Sequence, residues 1–165
     1  ERNKALTPLI AGGTGSMSAS LEMPPTLPDR YEAGTPNLPG IMGLGVALRY
    51  LQEVGLDALH RREMALTERF LSGLRGNEHI RIPGPADAKG RVGVISVDFL
   101  RQDNAGVAFQ LEEQYGILTR CGLHCAPLAH KTLGTYPEGT VRFSIGYTTT
   151  EEEVDAAIRA IHDLA

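Results

Sequence analysis

Cysteine is scarce in this sequence: two in 165 residues, Cys121 and Cys125. That excludes a disulfide-built scaffold and points to a reducing compartment, the cytoplasm. Basic charge is neither abundant nor clustered. The 16 Lys and Arg residues against 20 Asp and Glu leave a net charge of -4, and they form no stripe, so neither nucleic acid nor an anionic membrane is indicated as a partner. Long apolar runs are missing, and none approaches the roughly 20 residues of a membrane span. No basic-then-apolar leader opens the chain, and no repeat or low-complexity tract interrupts it. What remains, at 42% hydrophobic and 22% charged, is the composition of a globular protein. The length suits one domain, or one domain plus a piece of another. The first residue is Glu1 rather than Met, and the expectation is of a chain whose upstream part is missing.

Glycine and proline punctuate residues 1–40, in "PLIAGGTGSMS", "MPPTLPD" and "EAGTPNLPG". This region reads as loops with at most a short strand near Leu9 and Ile10. From Pro39 the rhythm is helical: Ile41, Leu44, Leu48 and Leu51 share a face, and Gly55 is a stop. Gly43 and Gly45 suggest close packing on another backbone. A second helix runs from Leu56 to Leu74, with Leu59, Leu66, Phe70 and Leu74 as its apolar stripe. "HIRIPG" and "RVGVISVDFL" read as strands, the latter with Ile95, Val97 and Phe99 on one face. Asp103 or Asn104 can cap a helix running to about Tyr115. "GILTRCG" is a short strand, "TVRFSIGY" an alternating one, and Thr150 with Glu153 forms a capping box for a last helix. From Asn77 onward the pattern is a small α+β domain, a sheet with helices on one side.

The stretch "TRCGLHCAPLAH" concentrates reactive side chains. An extended chain between Cys121 and Cys125 spans about 13 Å, whereas a disulfide needs Cα atoms about 4.4–6.8 Å apart. C-x3-C with His124 and His130 is a poor match to a zinc site, so no metal is expected. Cys121 reads as a small hydrophobe at a strand end. Cys125, beside Arg120 and His124 in a loop with small neighbours, reads either as a reactive thiol or as an ordinary loop residue. "AGGTGS" fails both the P-loop and the dinucleotide patterns and reads as a tight turn. "EAGTPN", with Gly34 and Thr35 ahead of a helix, suits either a phosphate contact or a plain helix entry. Arg142 points off the apolar face of its strand, where an arginine can take a carboxylate in bidentate fashion or simply be solvated. His60, His79 and His162 read as surface residues. His130 could cap or orient the cysteine loop.

Taken in order, "PLIAGGTGSMS", "LPDRYEAGTPNLPGIMGLGVALRYL", "TRCGLHCAPLAH" and "GTVRFSIGYTTTEEEVD" resemble the C-terminal part of cysteine desulfurase-like class V aminotransferases, pyridoxal-phosphate enzymes of fold type I. The resemblance covers nearly the whole chain. It implies a loop-rich tail of the large cofactor domain at 1–40, interdomain helices at 41–76 and the small C-terminal domain at 77–165. It implies that Cys125 removes sulfur from L-cysteine as a persulfide, leaving alanine. It implies that Arg142 holds the substrate carboxylate, with Arg120 and His124 beside it. Gly34 and Thr35 would reach the cofactor phosphate of a neighbouring subunit, so a homodimer follows, and a sulfur-acceptor protein is a further partner. The family's Schiff-base lysine has no match among Lys4, Lys89 and Lys131, so this chain alone is expected neither to hold the cofactor nor to turn over. A selenocysteine lyase, another class V lyase or transaminase, and a non-catalytic binding or dimerisation domain are the alternatives.

Overall fold

The computed structural model describes residues 6–165; Lys4 lies outside them. Two compact units emerge, Glu1–Glu53 and Val54–Ala165.

In the first unit the chain is irregular from Leu6 up to a 3-10 turn at Asp29–Tyr31. The strand expected near Leu9 and Ile10 does not form: both side chains are exposed, and a strand with no partner for its backbone groups has nothing to hold it. Helix α1 occupies Leu38–Val54. Asn37 starts it, its Oδ1 accepting from Gly40 N at 3.1 Å and its carbonyl from Ile41 N at 2.9 Å. That is the capping arrangement that satisfies a helix's first free N–H groups. No residue of α1 is buried. The close approach expected at Gly43 is not found, since a Cβ there would meet nothing within 4 Å, and at Gly45 only Arg49 Nη1, at 3.8 Å.

The second unit runs α2 (Leu56–Leu74), β1 (Ile80–Arg81), β2 (Val94–Phe99), α3 (Asn104–Tyr115), β3 (Arg120–Gly122), α4 (Pro127–Leu133), β4 (Thr140–Ser144) and α5 (Glu151–Leu164). The strands form one antiparallel sheet in the order β1-β2-β4-β3. Alternation puts Ile95, Val97, Phe99, Val141 and Phe143 on the core face, where they join Phe70, Leu74, Leu111 and Ile161 from the helices. The fold is therefore α+β, a four-stranded sheet backed by helices. Each large side chain fully buried there contributes on the order of 1.5–3 kcal/mol.

Local signals set the element ends. Asp103 caps α3 through its side chain, accepting from Gly106 N, and Gly116 ends that helix in the left-handed region at φ 67. Thr150 and Glu153 form the expected capping box on α5. Helices α2 and α5 are tied by Arg69, whose Nε and Nη2 donate to the two Asp155 oxygens at 2.7 and 2.8 Å. They also meet closely at Gly73, where a Cβ would lie 2.5 Å from Ile158 Cδ1. No helix among the described residues is long and apolar enough to cross a membrane.

Candidate active site

Strands β3 and β4 place the functional side chains of the second unit. Their register sets Arg120 directly opposite Arg142, Cys121 opposite Val141 and Gly122 opposite Thr140. Directly opposed residues of an antiparallel pair share a face. The two guanidinium groups therefore stand on one face of the sheet, with Ser96 opposite Arg142 on its other side. Cys121 shares the core face with Val141 instead. Like charges opposed in this way are unfavourable by themselves. An anion between them reverses the sign, and the planar forks suit a carboxylate. Arg142 Nε is buried and has no hydrogen-bond partner among the described residues, so this arginine has donor capacity to give to a bound group.

Beyond Gly122 the chain makes a tight turn, Leu123–Ala126, closed by Ala126 N donating to the Leu123 carbonyl at 2.8 Å. Both central residues lie in the left-handed region, His124 at φ 52 and Cys125 at φ 59. That is the φ signature of a type I′ turn, in which Asn and Gly are usual. Histidine visits that region more readily than most residues and cysteine does not, and a residue other than glycine costs roughly 1–2 kcal/mol in that conformation. The turn carries the Cys125 thiol, which is free and exposed. Arg120 Nη2 donates to Cys125 Sγ at 3.5 Å.

His124 Nε2 lies 2.9 Å from the Arg120 carbonyl, a bond that requires the proton on Nε2. Burial pushes the His124 pKa down, and the Arg142 and Arg120 charges act in the same direction against a smaller rise from the Arg120 carbonyl bond. The ring is thus kept neutral beside the thiol. Burial pushes the Cys121 thiol up, with Asp103 adding to the rise.

Arg120, His124, Cys125 and Arg142 are accordingly brought together on β3, β4 and the intervening turn. Gly34 and Thr35 belong to the first unit, both exposed. Gly34 has φ 89 and open space where a Cβ would be, and its N–H donates to the Gly13 carbonyl at 2.8 Å, joining the two glycine-rich loops. The loop from Gly12 to Pro24 lines a cavity of about 360 Å³.

Sequence reasoning missed helix α4, which follows the cysteine turn directly. The signal was present: Pro127 sits at its first turn and Gly134 closes it at φ 68, the proline-in, glycine-out arrangement of helix ends. His130, read from the sequence as able to cap or orient the cysteine loop, lies within that helix. This histidine is 6% exposed, its Nδ1 lies 2.7 Å from Thr135 Oγ1, and its ring centroid is 5.5 Å from that of His124.

Known proteins share this arrangement of elements. A cysteine desulfurase from Thermococcus onnurineus, solved in its apo form, superposes with a TM-score of 0.76 at 36% identity, over 83% of this chain and 33% of that one. A cysteine desulfurase of Pectobacterium carotovorum is 35% identical over 98% of the chain, and a probable cysteine desulfurase of Methanothermobacter thermautotrophicus 32% identical over 97%. The chain spans about 40% of the length of these curated relatives. The family model for class-V aminotransferases matches residues 1–157. With nearly every element from the glycine loops to the last helix inside that match, the chain belongs to the class-V aminotransferase family.

Proposed function

We propose that the full-length protein is a pyridoxal-phosphate-dependent cysteine desulfurase, with Cys125 as the residue that takes the sulfur. The observation that carries this reading is the exposed Cys125 thiol, held on a left-handed turn 3.5 Å from Arg120 and next to the opposed Arg120–Arg142 pair. A carboxylate-binding pair on two paired strands and a nucleophilic sulfur on the turn that follows one of them suit an amino acid whose side chain ends in sulfur.

In this scheme Arg142, with its unpartnered Nε, and Arg120 grip the substrate carboxylate. The Cys125 thiolate forms an S–S bond to the substrate sulfur while the substrate C–S bond breaks. The electron pair stays with the carbon fragment, which takes up a proton and leaves as alanine, and Cys125 keeps the sulfur as a persulfide. Pyridoxal phosphate, when bound, supplies the electron sink for that pair. Of the groups that would hold it, this chain contributes Gly34 and Thr35: the open backbone face at Gly34 and the exposed Thr35, one turn ahead of α1, fit a phosphate contact. Through that contact the protein works as a homodimer, each subunit completing its neighbour's phosphate site. The exposed turn lets the persulfide pass to an acceptor protein, and the chemistry suits the reducing cytoplasm, where the thiol stays available. Lys89 and Lys131 offer no cofactor linkage. Lys131 lies over the Tyr136 ring at 4.9 Å and Lys89 sits in a loop turned by Asp87.

The test uses full-length protein loaded with cofactor and given cysteine and a reductant. Sulfide and alanine should appear in equal amounts, and Cys125→Ser should lose nearly all sulfide release. Arg142→Gln should lower kcat/KM about 10–100-fold, the equivalent of charge-assisted hydrogen bonds of about 1.5–3 kcal/mol. Normal turnover by Cys125→Ser sinks the assignment. Preference for selenocysteine or cysteine sulfinate over cysteine would move the protein to another lyase of the same family.

A further inference from the structure

We infer that His130 is a positioning residue, holding the Cys125 turn in its left-handed form through the ring of His124. The inference rests on Cys125 being the sulfur acceptor, a scheme in which His130 has no chemical part.

The turn's own hydrogen bond, from Ala126 N to the Leu123 carbonyl, does not compensate for two adjacent non-glycine residues at positive φ. Something outside the turn must over-determine it. Of the central pair, Cys125 is exposed with one contact at 3.5 Å to Arg120, whereas the side chain of His124 is braced at both ends. Its Nε2 is bonded to the Arg120 carbonyl at 2.9 Å, and its ring lies against that of His130, tilted by 42°. His130 is itself anchored. It is buried in α4, its Nδ1 is bonded to the buried hydroxyl of Thr135, and its carbonyl accepts from Thr135 N at 2.9 Å where the helix closes.

The brace therefore runs Thr135, His130, His124, Arg120, and ends on the residue whose guanidinium reaches Cys125 Sγ. Without His130 the ring of His124 loses its backing, residues 124 and 125 relax toward ordinary backbone angles, and Sγ leaves the guanidinium. Arg120 and Arg142 stay where the β3–β4 register holds them. Substrate binding and nucleophile placement are thus separable, which a general loss of structure would not be.

The experiment compares His130→Ala, His130→Asn, Thr135→Val and Thr135→Ser in full-length, cofactor-loaded protein, with Cys125→Ser alongside. His130→Ala and Thr135→Val should each lower kcat about tenfold, equivalent to about 1.4 kcal/mol, with KM for cysteine within about twofold of wild type. Asn, which can reproduce the Nδ1 bond, and Ser, which keeps the hydroxyl, should restore most of the rate. The double variant His130→Ala with Thr135→Val should be no slower than the slower single, as members of one brace are not additive. A second readout needs no turnover: iodoacetamide should alkylate Cys125 about threefold or more slowly in His130→Ala and Thr135→Val, followed by peptide mass spectrometry. Alkylation and kcat both within twofold of wild type in Thr135→Val overturn the inference, as does a KM that rises in step with the fall in kcat. If His130→Ala does not fold, the two Thr135 variants carry the same decision. If Cys125→Ser retains turnover, the sulfur-acceptor reading fails separately, while the alkylation rates still judge the brace.

Discussion

Gly139 is the position where a single methyl group should do the most damage next to the site. It is buried ahead of β4 with φ 79, and a Cβ there would run into the backbone carbon and oxygen of Gly122, in the last residue of β3. Two separate costs follow for Gly139→Ala. The left-handed backbone costs alanine about 1 kcal/mol. The clash adds about 1–3 kcal/mol, the usual cost of overpacking, with no rotamer to relieve it because Cβ has none and its neighbour is main chain. The sum is about 2–4 kcal/mol.

Gly134 provides the comparison that separates the two parts. It has φ 68 but its Cβ would meet only Arg81 Nη1, at an ordinary 3.5 Å, so Gly134→Ala should cost about 1 kcal/mol. Gly146, with open space and no positive φ, should accept alanine with little change. Urea unfolding followed by circular dichroism reads all three. With m of about 2 kcal/mol/M, the Gly139→Ala midpoint should fall by about 1–2 M, well beyond Gly134→Ala. Equal shifts for the two would refute the close approach of Gly139 to Gly122, and with it the argument that β4 closes onto the strand carrying Arg120.

Removing the α5 cap by Thr150→Ala should cost about 1 kcal/mol, seen as a lower thermal midpoint, because its hydroxyl accepts from Glu153 N and anchors the reciprocal bond. Acid should weaken the α2–α5 contact. The Arg69 side-chain bond holds the Asp155 carboxyl below the usual carboxylate range, so the folded state binds its proton less readily than the unfolded state. The associated stability is present above about pH 4 and is lost as pH falls through the lowered value. Thermal midpoints from pH 6 to 3 should drop less steeply in Asp155→Asn than in wild type; identical slopes would remove Asp155 from the acid response.

Much of the site's inventory could be read from residue types and spacing, because it rests on local rules. The alternation of Val141, Arg142, Phe143 and Ser144 decides which side chain leaves the core face. Thr150 with Glu153 announces a helix start, and the family motifs single out Arg120, His124 and Cys125. Helix α4 is equally local, flanked by Pro127 and Gly134.

What tertiary structure alone decided is relational. Strand register is a property of two segments distant in the chain, and only it sets Arg120 opposite Arg142. It also sends Cys121 to the core face, away from Cys125. Two adjacent residues other than glycine at left-handed φ, His124 and Cys125, run against what local propensity favours, so no propensity argument could reach them. They exist because buried His130 and Thr135 hold one side of the turn and the Arg120 carbonyl the other. The sequence determined which groups are available and on which face each lies; packing between remote segments determined which of them meet.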